Sequence, residues 1–301
     1  MPAPQSSSNV VDVLRINGVS AGATPDLIIE VPHGATRTAD FDAVKDALTS
    51  PLPEGLADFF HVNTDAGAPE LAVALAHRFV KLDPTRSVAI LRCRIPRTFI
   101  DCNRRIDAKP AELKEGKVTP GLMPWVTSEA DRELLLSRYR DYVKAVDDAV
   151  GEVMPKGGAM LLLHTYAPRS VGVEVDLDIV KSLRAAYTPE KEPTWPLRPE
   201  VDVIHKTLEG VSLAPTKVVS TLKTALGVIG VPLADGESYP MHPSTLAYGH
   251  VTKWPGRVLC VEVRRDLLAV PWTPFSQMHI GDAECAKLAG PFAEAVRAWW
   301  S

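Results

Sequence analysis

Cysteine is scarce in this chain. There are four among 301 residues (Cys93, Cys102, Cys260 and Cys285), and none forms a C-x-x-C pair. Three lie in strand- or helix-like apolar surroundings, so they read as reduced core residues of a cytoplasmic protein. Long apolar runs are also missing. None approaches the roughly 20 residues needed to span a bilayer, which argues against a membrane protein. Residues 1–9 are rich in Ser and Pro without a charged n-region or an apolar h-region, so no secretory signal is expected and residues 1–10 read as a disordered end. There is no excess of positive charge either. The formal net charge is -4, which gives no reason to expect nucleic acid as a partner. No internal repeat and no polar linker interrupts the chain. One α/β domain with a sizeable core is the expectation.

What is present is an alternation of strand-like and helix-like segments. Residues 27–31, 87–95, 159–163 and 257–263 are short apolar β runs, and 59–63 reads the same way. Residues 41–48, 70–82 and 175–187 have helical spacing. A long helix is expected from Ser128 to about Val153, with Ser128 as its cap and Asp131 three residues on as the return partner. Residues 199–208 and 215–228 read as further helices. The final helix is expected over 282–300 with Asp282 as its cap. The stretches 104–127 and 188–199 read as long loops. This order predicts a mixed central sheet flanked by helices.

Four short pieces carry the chemistry: Val31-Pro32-His33-Gly34, Asp101-Cys102-Asn103-Arg104, Leu163-His164-Thr165-Tyr166 and Val261-Glu262-Val263-Arg264. Each lies at or just after an apolar run, where an open α/β sheet builds its site. His33 and His164 stand at strand ends, followed by small or turn residues. An isolated histidine is more often a surface or hydrogen-bonded core residue, and six others here receive no role. Asn103-Arg104 offers a guanidinium and an amide for gripping a carboxylate. By composition alone a solvated arginine pair, continued by Arg105, is the better account. Glu262 is a carboxylate inside a β run, costly to bury unless paired. It reads either as the solvent face of an alternating strand or as a base whose surroundings raise its pKa.

Taken in order, these pieces resemble the N-formylglutamate amidohydrolase family, which shares its fold with the zinc carboxypeptidases. The family's Pro-His-Ser-Gly stretch stands here as Pro32-His33-Gly34-Ala35, and its Thr-Asp segment as Thr64-Asp65. The Asp-Leu-Asn-Arg signature appears as Asp101-Cys102-Asn103-Arg104, and the His-Ser-Tyr step as His164-Thr165-Tyr166. Tyr239-Pro240 and Glu262-Val263-Arg264 complete the set. The resemblance implies a bound Zn2+ with His33 and His164 as ligands and Glu262 as the general base. It implies Asn103 and Arg104 on a substrate carboxylate. Amide hydrolysis also needs a donor for the oxyanion, and Arg104, Tyr166 or Arg169 is the candidate among the substrate-binding residues, with Arg169 next in line if Arg104 clamps the carboxylate. His33 is followed by Thr36 where related peptidases place an acidic ligand, so Asp65 is the candidate third ligand. The alternative for Asp65 is a cap of the helix that follows. The implied substrate is a small acidic amide or short peptide.

Overall fold

A computed structural model describes residues 5–8, 10–109, 111, 112 and 119–301. Eight strands form one mixed sheet: β1 (Gln5–Ser8), β2 (Val11–Asn17), β3 (Leu27–Val31), β4 (Ser87–Cys93), β5 (Ala159–Tyr166), β6 (Val201–Val203), β7 (Leu233–Ala234) and β8 (Val258–Arg264). Their order in space is β1-β2-β4-β3-β5-β8-β6-β7. The four central strands, β4, β3, β5 and β8, run parallel. Antiparallel pairing begins on either side of them, at β2 and at β6.

The helices are α1 (Thr38–Lys45), α2 (Leu56–Asn63), α3 (Ala68–Leu82), α4 (Glu129–Val153), α5 (Ile179–Ala186), α6 (Thr216–Val228), α7 (Leu246–Lys253) and α8 (Asp282–Arg297). They cover both faces of the sheet, which explains why the central strands are near-continuous apolar runs. All eight residues of β5 are buried. On one face, Met160, Leu162, Val258 and Cys260 pack with Tyr142 and Val146 of α4 and Phe60 of α2. On the other, Leu161, Leu163, Leu259 and Val261 pack with Leu75 of α3, Leu222 of α6 and Phe292 of α8. Successive side chains along a strand point to opposite faces. His164 therefore shares the face of Met160 and Leu162, and Glu262 shares the face of Val258 and Cys260. The pairing register sets His164 directly beside Glu262 on the neighbouring strand.

Several local expectations are corrected. Residues 59–63 form the end of α2, not a strand. A short apolar run carries no decisive period, and here Gly55 in the left-handed region opens a helix whose buried side includes Phe59 and Phe60. Residues 199–208 contain β6 instead of a helix, and its three residues are all buried. The helix after Ser128 begins as expected, but Ser128 makes no side-chain cap bond. Asp131 turns away and accepts from the backbone N–H groups of Thr49 and Ser50 at 3.0 and 2.6 Å. The last helix is capped by Gly281, so Asp282 is its first residue. Strands β1, β2 and β7 and helix α7 had no counterpart in the sequence reading. Within the expected disordered end, residues 1–4 and 9 lie outside the described residues, while Gln5–Ser8 pair with β2. Residues 110 and 113–118 of the 104–127 loop also lie outside them.

Candidate active site

The site sits at the C-terminal ends of the four parallel strands. β3 ends at Val31, and the next turn delivers His33. Asp65 follows the C-terminus of α2, where its N–H reaches His33 O at 3.4 Å. Thr64 Oγ1 donates to Ala35 O at 2.6 Å and ties the two loops together. His164 lies within β5. All three side chains are at least 96 % buried.

Their donor atoms converge. His33 Nδ1 and His164 Nδ1 lie 3.2 and 3.1 Å from Asp65 Oδ2, and 3.3 Å from each other. Three lone-pair-bearing atoms this close form a site suited to a metal ion, with every ligand atom within 4.8 Å of the others. The second nitrogen of His33 meets Asp101 Oδ1 at 2.8 Å, the carboxylate–histidine arrangement that orients metal-binding imidazoles. Asp101 is fixed in turn by Arg97 at 2.9 Å and by the Asn103 N–H at 2.9 Å. Burial opposes ionisation of Asp101, but Arg104, His33 and Arg97 hold its carboxyl well below the usual range. Asp65 is likewise held low against its burial by His33 and His164. The helix-cap alternative for its carboxylate does not hold: the cap residue of α3 is Gly67. Nor does Asp65 end a strand, since α2 precedes it.

Glu262 Oε2 is buried with no hydrogen-bond partner among the described residues. Burial pushes its pKa up to about 7, with His164 opposing and the Asp65 charge adding to the rise. A half-buried carboxylate with one covered, unpartnered oxygen beside a metal-type cluster is poised to take a proton near neutrality.

A cavity of about 240 Å³ opens over these groups, lined by His33, His164, Glu262, Asn103 and Arg104 among others. Arg104 is 6 % exposed. Its Nη1 donates to Asn103 O at 3.2 Å and its Nε to Thr119 O at 3.3 Å, so Nη2, at 3.8 Å from Asp101, is the least engaged nitrogen. Asn103 Oδ1 accepts from Ala247 N–H at 3.2 Å. Tyr166 and Arg169 also line the cavity, but both are engaged by backbone carbonyls. The Tyr166 hydroxyl donates to Pro199 O at 2.7 Å, and Arg169 Nη1 donates to Trp195 O at 2.6 Å.

Three cavity arginines had no signal in the sequence. Arg97 bonds Asp101 and lies 3.7 Å from Asp65 Oδ1. Arg265 is 3.7 Å from the same oxygen, and burial lowers its pKa to about 10. Arg198 stacks over Tyr166 and Tyr239, with its guanidinium carbon 5.1 and 5.7 Å from the ring centroids. Cys102 is buried, and burial beside Cys93 pushes its thiol well above the usual range. It is not a thiolate nucleophile.

No protein-family model matches the sequence, and no curated protein sequence matches it. Solved structures do match in fold. An N-formylglutamate amidohydrolase from Ralstonia eutropha JMP134 superposes with a TM-score of 0.57 at 18 % identity, covering 95 % of this chain and 98 % of that one. The gene product Atu2144 from Agrobacterium tumefaciens gives a TM-score of 0.54 at 16 % identity, covering 94 % and 92 %. The chain thus has the N-formylglutamate amidohydrolase fold.

Proposed function

We propose that this protein is a zinc-dependent amidohydrolase that cleaves an N-acyl amide, of the formyl type, from a small carboxylate-bearing substrate. The observation that carries the reading is the His33–Asp65–His164 triangle beside the unpartnered carboxylate of Glu262. The triangle suits zinc. Nitrogen and oxygen ligands at about 2.0–2.1 Å from a tetrahedral zinc stand about 3.3–3.4 Å apart, and the edges here are 3.1–3.3 Å. Three protein ligands of N and O type are also the usual set of a catalytic zinc. Zinc in such a position polarises a carbonyl and makes water acidic.

The remaining work falls to side chains of this chain. Asn103 and Arg104 hold the substrate carboxylate and so fix the amide over the triangle. Glu262 removes the proton from the attacking water and delivers it to the leaving nitrogen as the C–N bond breaks. Arg198 forms no ion pair among the described residues, and its charge acts on Glu262. Its Nη1 donates to Ala167 O at 3.3 Å, and its other N–H groups are our candidate donors for the negative oxygen that develops on the carbonyl carbon. Tyr166 orients Arg198 through its ring, and Arg169 shapes the mouth. The cavity has room for a small molecule or the end of a peptide. No helix among the described residues is long and apolar enough to cross a membrane. The four buried free thiols suit the cytoplasm.

The test is metal analysis of the purified chain together with a panel of N-formyl, N-acetyl and N-succinyl amino acids. About one zinc per chain with turnover that stops on chelation and returns with zinc supports the reading. A chain that neither holds nor responds to metal sinks it.

A further inference from the structure

We infer that the cavity carries an apolar specificity subsite facing the catalytic groups, and that the substrate therefore joins one carboxylate to a branched or aromatic apolar group. This rests on the amidohydrolase reading and narrows its substrate class. A second carboxylate, as in an acylated glutamate, is not what this wall fits.

The wall is built from three elements. In the segment after β5, Val171, Val173 and Val175 are half-buried while Gly172, Glu174 and Asp176 between them are exposed. That alternation is an extended chain turning one apolar face inward. The segment is pinned at its start: Ser170 N–H donates to Pro196 O and Arg198 N–H to Pro168 O, both at 2.9 Å. The three valines line the cavity. Behind them α5 contributes Ile179 and Leu183, and α2 contributes Phe59. Arg198 and Arg265 line the same cavity, on the side of Tyr187, whereas the two cations nearest the valine segment are held by other partners. Arg184 of α5 pairs with Asp58 of α2 at 2.6 Å, and Arg169 is committed to Trp195 O.

The three valines are half-buried, pack against the core cluster and line the cavity. Water against that lining is displaced at a gain by an apolar group and at a loss by a charged one. Mostly apolar walls with a few placed polar groups are the normal make-up of a small-molecule site.

The test is calorimetric titration of the zinc-loaded protein with four carboxylates: acetate, 3-methylbutanoate, 3-phenylpropanoate and glutarate. Burying a leucine- or phenylalanine-sized group is expected to tighten binding roughly ten- to hundredfold over acetate. Glutarate is expected to bind more weakly than 3-phenylpropanoate. The double variant Val171→Ser, Val173→Ser should narrow the ratio of 3-phenylpropanoate to acetate affinity, with a thermal melt establishing that the variant is folded. Equal affinities for the four acids, glutarate as the tightest, or a ratio untouched by the double variant would overturn the inference. Turnover is read separately on N-formyl-leucine, N-formyl-phenylalanine and N-formyl-glutamate. A retained apolar preference in binding with no turnover on any of them supports the subsite and overturns the hydrolase reading instead. Faster turnover of N-formyl-glutamate than of both apolar substrates overturns the subsite and leaves the hydrolase reading standing.

Discussion

Replacing Glu262 with Gln should make the metal-free protein more stable at alkaline pH while removing catalysis. The side chain is half-buried, one covered oxygen has no partner, and its pKa is pushed from 4.5 up to about 7. Its folded pKa lies above its unfolded value. The carboxyl therefore favours the folded state fully below about pH 4.5, and that contribution is lost as pH rises through about 7. Between pH 5 and pH 8 the loss amounts to about 2–3 kcal/mol. Glutamine keeps the shape and cannot ionise, so it escapes this cost. The stability of Glu262→Gln relative to the parent should rise by that amount from pH 5 to pH 8, read from urea unfolding in the presence of chelator. The zinc-loaded variant should keep its metal and lose roughly a hundredfold or more in kcat, the ordinary effect of a missing general base. A stability difference that does not change with pH would show that the carboxylate is solvated and that the environment argued for it is wrong. Near-normal turnover would move the base to another residue.

Three further outcomes are expected. His33→Ala, His164→Ala and Asp65→Asn should each drop bound zinc well below one per chain and abolish turnover, measured by elemental analysis and activity on the same samples. Full zinc in all three would remove the metal assignment. Arg104→Lys keeps a charge but loses the two-pronged fork. It should raise KM about ten- to hundredfold for a carboxylate substrate and far less for its carboxamide, and equal losses would show a structural role. Asp131→Ala leaves the Thr49 and Ser50 N–H groups without their acceptor. It should cost about 1.5–3 kcal/mol in urea unfolding, and a change below about 0.5 kcal/mol would show that water replaces the carboxylate there.

The central strands were legible because β3, β4, β5 and β8 are buried on both faces and their sequences are nearly unbroken apolar runs. The strands flanking the parallel core were not. β2 alternates Val, Asp, Val, Leu and Arg with half-buried positions, and β6 is three residues long after Pro199. Both owe their pairing to the neighbour they meet. Residues 59–63 misled because apolar neighbours such as Phe59 and Phe60 fit either a doubly buried strand or one side of a short helix. His33, Asn103, Arg104, His164 and Glu262 line one cavity, and Asp65 meets the two histidines. Arg97, Arg198 and Arg265 stand in no local pattern. Their importance comes from Asp65, Asp101 and Glu262, which are brought to them from elsewhere in the chain.

The strand order itself explains why these groups meet. From β3 the chain crosses to β4 on one side, and later returns to β5 on the other. From β5 the chain goes on to the β8–β6 side, so the loops leaving β3 and β5 diverge, and a crevice opens between these two strands where the order reverses. His33 leaves β3 into that crevice, Asp101 comes from beyond β4, and His164 belongs to β5. Glu262 stands one strand further, where the parallel register sets it beside His164. The triangle is locked by short local bonds: Thr64 to Ala35, the Asp65 N–H to His33 O, and Thr165 N–H to Asp65 Oδ2 at 3.3 Å. None of these bonds involves residues 171–179. The groups that would do the chemistry and the wall that would choose the substrate thus stand on separate supports. Change in that segment can alter what enters the cavity while the bonds that hold the triangle stay intact.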